Sequence, residues 1–345
     1  MRLTSTPGSS GRSLDSRTPS PRLVDATGNA ALSGMTRNMS SQPYCHICDR
    51  PFDPVRSYAR KGSWTYLRCP VCRLVMLHPV PDDSVLRSYY NGSYAVKFDK
   101  YMKDIRRGAS AVLADLNRQF PKRGRLLEIG CSYGGFLREA QREGWDVTGI
   151  ELSETAAQFA REQFGLKVFC GELQDQIDKL GEPYDVVALF HVIEHVPDPI
   201  GFLELSRKLT TPGGILLLKT PNVTSLIARI TGKTWQWVSP PAHLWLYSPG
   251  TLKLLLMRAG YRLQYCRSSQ GDANNNLFAL ISGVAKRVLA RTHGESLSDL
   301  RKSWGVRVLE GTCETVYRPL RLLMDPWLGR RLWQPELYAV ASNGL

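Results

Sequence analysis

The 345-residue sequence predicts an α/β fold built on a mainly parallel sheet. Three observations carry that expectation. Short apolar runs alternate with segments of helical spacing from residue 125 onward, a glycine-rich turn lies between the first run and the first such segment, and helix start and stop residues fall between the runs. Strand and helix in alternation imply crossover units, which join parallel strands.

Taken in order, Arg125–Ile129, Val147–Ile150, Val168–Cys170, Val186–Phe190 and Ile215–Lys219 read as strands, and Phe136–Glu143, Ser153–Phe164 and Gly201–Leu209 as helices. Ser153 suits an N-cap, Gly165 a C-terminal stop, and Pro197 and Pro199 a helix boundary. Thr251–Ala259 reads as a further helix, Tyr261–Arg267 as a strand and Leu337–Val340 as the last strand. Upstream, Tyr89–Phe120 has the apolar spacing of one or two helices. The expected organisation is a disordered tail (1–42), a cysteine module (43–80), a helical lead-in (81–124), a core (125–275), a helical insertion (276–333) and a final core strand (334–345).

A chain with 43% apolar residues can bury a full core. It contains no run of eighteen apolar residues, and its first thirty residues lack the apolar centre of a signal peptide, so a cytoplasmic protein is expected. The formal charge of +14 suits a polyanionic partner, yet the basic residues are scattered, which favours an Arg-rich enzyme over a nucleic-acid binder.

Four of the eight cysteines form two pairs, Cys45-x-x-Cys48 and Cys69-x-x-Cys72, with twenty residues between them. Each CxxC turn can aim two thiolates at one point, so together they offer a closed tetrahedral zinc site of the structural kind. Bound zinc would replace the core that so small a module cannot build for itself.

The stretch LLEIGCSYGGFL, Leu126 to Leu137, nearly spells the GxGxxG dinucleotide fingerprint but places Ser132 where the middle glycine belongs. That glycine lets backbone approach a pyrophosphate; a cofactor without a pyrophosphate does not need it. Glu151 follows Gly130 by twenty-one residues, where a carboxylate accepts hydrogen bonds from ribose hydroxyls.

These segments, together with VTGIELSETAAQFA, VFCGELQD, YDVVALFHVIEHVPDP and LTTPGGILLLKTPN, resemble the class I S-adenosylmethionine-dependent methyltransferases, above all the ubiquinone-biosynthesis O-methyltransferase type. The front module followed by LVMLHPVPDDSVLRSYY resembles relatives that carry a zinc ribbon, including sugar C-methyltransferases and glycan-assembly enzymes. The resemblance implies a Rossmann-like sheet with an antiparallel last strand, S-adenosylmethionine as cofactor, structural zinc, and a small-molecule or saccharide acceptor, including nucleotide- or lipid-linked ones, with O-methylation slightly favoured. Carried over, Glu128, Gly130, Ser132 and Gly134, with Cys131, would form the loop under the amino-acid half of the cofactor; Glu151 with Leu152 would hold the ribose, Glu172 with Leu173 the adenine, and Phe190 and His191 would line the pocket.

His191-Val-Ile-Glu194-His195 also spells HxxEH, a zinc-peptidase pattern that needs both histidines on one face of a settled helix. Pro197 and Pro199 cut the segment short, which disfavours that reading. In the methyltransferase reading the segment ends a parallel strand, where open sheets bind ligands, and His195 is the first choice as general base, with His191, Glu194 and His243 behind it. The aromatics of TWQWVSPPAHLWLYSPG can wall an acceptor pocket. Residues 276–333 carry apolar positions at helical spacing with Arg and Lys between them, suited to covering the sheet or meeting a partner, and secondarily to peripheral membrane contact. The reading from another class is a zinc-ribbon nucleic-acid-binding protein on a methyltransferase-like scaffold, with a zinc peptidase more remote.

Overall fold

A computed structural model describes residues 42–344 except 54–56, 83, 87, 90–97 and 270–334. The expected disordered tail, but for residue 42, and the expected helical insertion at 276–333 lie outside the described residues.

At the front, β1 (Tyr44–Cys45) and β2 (Arg50–Pro51) pair antiparallel, and β3 (Ser57–Lys61), β4 (Trp64–Arg68) and β5 (Val75–His78) form an antiparallel meander. Helix α1 (Phe98–Gln119) then leads into β6 (Arg125–Ile129), α2 (Gly135–Arg142), β7 (Asp146–Glu151), α3 (Glu154–Phe164), β8 (Lys167–Cys170), the single turn α4 (Leu173–Gln176), β9 (Tyr184–Phe190), α5 (Pro199–Lys208) and β10 (Thr210–Pro221). After these come α6 (Leu226–Thr231), the two-residue β11 (Trp245–Leu246), α7 (Pro249–Arg258), β12 (Tyr261–Ser269) and β13 (Glu336–Asn343).

The main sheet has seven strands in the order β12-β13-β10-β9-β6-β7-β8. β10, β9, β6, β7 and β8 run parallel, and β13 is antiparallel to both of its neighbours. The expected fold class is therefore observed. β6 lies at the middle of the five parallel strands and buries Leu126 on one face and Leu127 and Ile129 on the other, as a parallel strand covered on both sides must. One face packs α1, α2 and α3 through Leu113, Leu116, Phe136, Leu137, Ala157 and Ala160. The other shares a single apolar cluster with the front module, so Tyr66, Met76 and Leu77 belong to the same core as Leu127, Leu216 and Leu255.

Local signals set the helix ends. The Ser153 hydroxyl accepts from Ala156 N at the start of α3, and Gly165 ends it in the left-handed region. Asp198 caps α5 with Pro199 in its first turn, and Ser248 and Thr251 form a reciprocal box at the start of α7.

β11 belongs to the second sheet, whose order is β11-β5-β4-β3. A strand of the loop after β10 therefore completes the sheet of the cysteine module. Nothing in the two-residue run Trp245–Leu246 signals this, because its partner lies some 170 residues earlier in the chain.

Candidate functional site

The chain leaves β6 through Gly130 (φ 77°), Ser132 (φ 50°) and Gly134 (φ 73°) before α2 begins. The backbone N–H groups of Gly130 and Cys131 both donate to Ile150 O, at 2.8 and 3.0 Å, which pins the loop to β7. A Cβ on Gly130 would stand 2.5 Å from Val192 Cγ2, so the loop and the turn after β9 approach too closely for any side chain there.

Glu151 ends β7 and is 5% exposed. Its two oxygens accept from Ser132 N (2.8 Å) and Ser153 N (2.9 Å), tying the glycine-rich loop to the start of α3. Burial raises its pKa, and these backbone N–H groups oppose the rise. Each carboxylate oxygen keeps a second lone pair. Glu128 is also buried, and its Oε2 has no hydrogen-bond partner. Burial and then the nearby Glu151 push its pKa well above the carboxylate range, with Lys219 pulling the other way.

Not every residue expected around the cofactor presents its side chain. Cys131 is buried with its Sγ against Gly149, and Leu173 is buried in the core. Gly134 faces Leu166 and Ala160, which leave no room for a Cβ, so it serves the packing of α2 against α3. These three shape backbone. Leu152, by contrast, is 58% exposed beside Glu151, and Glu172 is exposed, accepting a hydrogen bond from the Gln174 amide. Phe190 meets the edge of Phe136 at a centroid distance of 4.9 Å, with Lys219 Nζ 5.1 Å from its ring centroid.

Past Phe190 the backbone turns sharply. His191 has φ 57°, a conformation non-glycine residues avoid, and its N–H donates to Lys219 O at 2.9 Å. Its ring bridges two buried carboxylates, Nδ1 to Glu194 Oε1 at 3.2 Å and Nε2 to Glu336 Oε1 at 3.3 Å. It stacks on Trp237 (5.2 Å, 11°), which stacks in turn on His243 (5.4 Å, 16°), and His243 meets the edge of His195 at 4.6 Å.

The charges follow from this geometry. Burial by itself would lower the His191 pKa, but Glu336 and Glu194 outweigh it and hold the imidazole up at about 10. Glu194 is fully buried, and burial would raise its pKa; the His191 hydrogen bond and charge, with Thr220 Oγ1 donating to Oε2 at 2.9 Å, accompany a value of about 2. His195 and His243 are lowered by burial first, His243 to about 3. His195 Nδ1 lies 2.9 Å from Ala242 O; a carbonyl only accepts, so Nδ1 carries the proton and Nε2 is the acceptor atom of that ring.

The four candidate catalytic residues are thus brought together, with different roles. His191 is a protonated ring clamped between carboxylates, so it does not serve as a base at neutral pH, and Glu194 is its counter-charge. His195 and His243 are neutral imidazoles. The ligand atoms of Glu194, His195 and His243 lie within 4.8 Å of one another, close enough to meet on one cation. The disfavoured HxxEH alternative finds no helix: residues 191–195 form a turn, His191 meets Glu194 and Glu336, and His195 meets Ala242. Sequence reasoning missed Glu336. An acid at the start of the last strand is weak by itself, and only antiparallel pairing with β10, Glu336 opposite Pro221, sets it at the carboxyl edge of the parallel strands.

In the front module the four Sγ atoms lie within 4.8 Å of one another, Cys45 and Cys72 at 3.4 Å, Cys48 and Cys69 at 3.8 Å. The two pairs sit in equivalent turns. Asp49 N donates to Cys45 O and Arg73 N to Cys69 O, and Asp49 (φ 56°) and Arg73 (φ 71°) each follow the second cysteine in the left-handed region. Hydrogen bonding from Cys45 lowers the Cys72 thiol to about 5.

Residues 99–265 match the family model described as a methyltransferase domain. The ubiquinone biosynthesis O-methyltransferase of Cereibacter sphaeroides (strain ATCC 17025 / ATH 2.4.3) is 35% identical over 42% of this chain and 64% of its own length; that of Caulobacter vibrioides is 42% identical over 35% and 51%. The chain thus spans less than two thirds of the length of these relatives. Among solved structures, a SAM dependent methyltransferase from Archaeoglobus fulgidus covers 72% of this chain and all of its own at 21% identity and TM-score 0.43. Magnesium protoporphyrin IX methyltransferase from Synechocystis PCC 6803, with bound SAH, covers 54% and 92% at 19% identity and TM-score 0.42.

Proposed function

We propose that the protein is an S-adenosylmethionine-dependent methyltransferase acting on a hydroxyl of a small-molecule acceptor. The observation that carries this reading is Glu151, at the carboxyl end of the second parallel strand, bound to the loop after the first by Ser132 N and to α3 by Ser153 N, with exposed Leu152 beside it. This is the place for a ribose diol and an adenine face. The partnerless Glu128 Oε2 fits a cationic amino group at the other end of the same ligand, whose arrival would stabilise the ionised carboxylate. The match of residues 99–265 to the methyltransferase domain and the relatives' names support it.

S-adenosylmethionine supplies a methyl group on a positively charged sulfur. The chain's own contribution would be alignment and proton removal: the Trp237 and His243 rings would hold the acceptor hydroxyl, and His195 Nε2 would take its proton as the methyl group is transferred. The clamped His191 keeps Glu194 from competing for that proton. The cysteines hold structural zinc. Tetrahedral thiolates at a Zn–S distance of about 2.3 Å stand roughly 3.8 Å apart, and the pairs here are at 3.4 and 3.8 Å. A saccharide, free or nucleotide- or lipid-linked, is a second acceptor class, and residues 276–333 would supply any membrane contact; among the described residues no helix is long and apolar enough to cross a membrane.

Calorimetry with S-adenosylhomocysteine tests the reading. Binding that Glu151→Gln weakens roughly tenfold or more is expected, since hydrogen bonds to a charged group contribute about 1.5–3 kcal/mol each. Equal affinity in that variant counts against the assignment. Salt-sensitive DNA or RNA binding without cofactor affinity would favour the nucleic-acid alternative instead.

A further inference from the structure

The segment that carries Trp237 and His243 is held from two sides, and one of them is the cysteine module. β11 pairs with β5, Trp245 opposite Met76 and Leu246 opposite Val75, and Leu77 N donates to Leu244 O at 2.8 Å. The buried Tyr66 hydroxyl donates to His243 O at 2.7 Å, and Lys61 Nζ donates to Val238 O at 2.9 Å. From the far end of the loop, Arg258 at the close of α7 reaches back to His46 O (3.0 Å) and Ile47 O (2.8 Å), the two carbonyls inside the first CxxC turn. On the methyltransferase side the segment hangs on the turn after β9, with Glu194 O accepting from Leu244 N and Trp245 N, Val196 O from the Trp245 indole, and Ala242 O facing His195.

The cofactor half is built differently. The backbone N–H groups of Gly130, Cys131, Ser132 and Ser153 all donate to Ile150 or Glu151, and none of these bonds involves a residue before β6.

We propose that the cysteine module braces the acceptor wall, that Tyr66 is the positioning residue linking it to His243, and that metal loading governs the acceptor half of the site while leaving the cofactor half in place. This rests on the methyltransferase and zinc readings above. The physical reason is one of supply. The module's two knuckles depend on an ion to draw four thiols together, and once the module opens the segment loses its bonds at Val238 O, His243 O and Leu244 O and keeps only those to the turn after β9 and to Val223. The S-adenosylmethionine loop depends only on the central sheet.

Hydrogen exchange read by mass spectrometry on the full chain, with zinc and after chelation, tests the brace. Peptides spanning 235–247 should exchange at least about tenfold faster in the metal-free protein, while those spanning 126–137 and 147–153 keep their protection. Protection of 235–247 that survives chelation, or all three segments opening together, overturns the proposal. Tyr66→Phe tests the coupling with the metal retained, confirmed by one zinc per chain. It should shift the imidazole NMR signals of His243 and His195 and leave S-adenosylhomocysteine affinity within about threefold, well under the tenfold that 1.4 kcal/mol represents; unmoved signals overturn the role of Tyr66, as a merely structural tyrosine would leave them. A chain that binds no zinc removes the zinc reading and with it the metal control, and one that binds no S-adenosylhomocysteine removes the methyltransferase reading, yet the tie from Tyr66 to His243 is still decided by the NMR arm.

Discussion

The two halves of the proposed site are made in opposite ways. On the cofactor side, Gly130, Ser132, Glu151 and Ser153 lie within one βαβ unit, where the Gly130 N–H donates to Ile150 O and those of Ser132 and Ser153 to the Glu151 carboxylate. On the acceptor side, His191, Glu194, His195, Trp237, His243 and Glu336 come from the turn after β9, the loop before β11 and the last strand, and side chains make most of the contacts. A half fixed by local backbone can keep one ligand through many changes elsewhere. A half assembled from distant side chains can be rebuilt for a new acceptor without disturbing the first.

The largest effect that would separate the halves is loss of the proposed zinc site. Cys45→Ser and Cys69→Ser, which remove buried thiols, should abolish zinc stoichiometry by elemental analysis and lower the melting temperature by ten degrees or more, given structural-zinc energies on the order of 10 kcal/mol. Retained zinc in either variant would break the account of the module.

Gly130→Ala should come next. The added Cβ would meet Val192 Cγ2 at 2.5 Å in a left-handed conformation, so a loss of about 2–4 kcal/mol in denaturant unfolding is expected, together with weakened S-adenosylhomocysteine binding. An unchanged midpoint would mean that the loop and the turn after β9 are not in the contact described.

The acceptor half has a pH signature of its own, carried by a raised histidine rather than by raised carboxyls such as Glu128. His191 is raised in the folded state above its unfolded value near 6.5, so its contribution is complete below that pH and is lost as the pH climbs toward about 10. Stability from urea unfolding should fall across that window in the wild type. Glu336→Gln removes one carboxylate and should flatten the fall; His195, His243, Lys219 and Glu194, the other charged or titratable groups around the ring, remain in place to set the residual slope. An unaltered slope would show that the bridge is not the titrating element. Glu194 works in the other direction, its contribution being present above about pH 4.5 and lost as the pH falls toward about 2.

The smallest effect belongs to the cofactor half. Ser153→Ala removes the cap on Ala156 N and should cost roughly 1 kcal/mol of stability, leaving the Ser153 N–H bond to Glu151 and hence cofactor affinity nearly unchanged.

Which parts could be read from the sequence follows from the same division. Ser153, Gly165 and the run LLEIG place α3, β6 and the glycine-rich loop correctly because caps, left-handed stops and apolar periodicity act over a few residues. The strand expected at Ile215–Lys219 is in fact Thr210–Pro221, and the last one, expected at Leu337–Val340, is Glu336–Asn343. In both cases ladder pairing carries the strand beyond its apolar centre, and in the second it takes in the acid that clamps His191. Tyr66 gave no sequence signal at all, for a buried tyrosine announces its carbonyl partner only once the sheet of the module has closed.

The sequence by itself determined the alternating α/β core, the glycine-rich loop with its acid at the end of the next strand, and four cysteines at zinc spacing, since each depends on residue type and separation along the chain. Tertiary structure alone decided that β11 leaves the loop after β10 to complete the module's sheet, that carboxylates raise the His191 pKa while burial lowers those of His195 and His243, and that Glu336 meets His191 and Tyr66 meets the His243 carbonyl. The reason is physical: a protonation state is set by burial and by the charges that the fold brings within a few ångströms, and neither is written in local sequence.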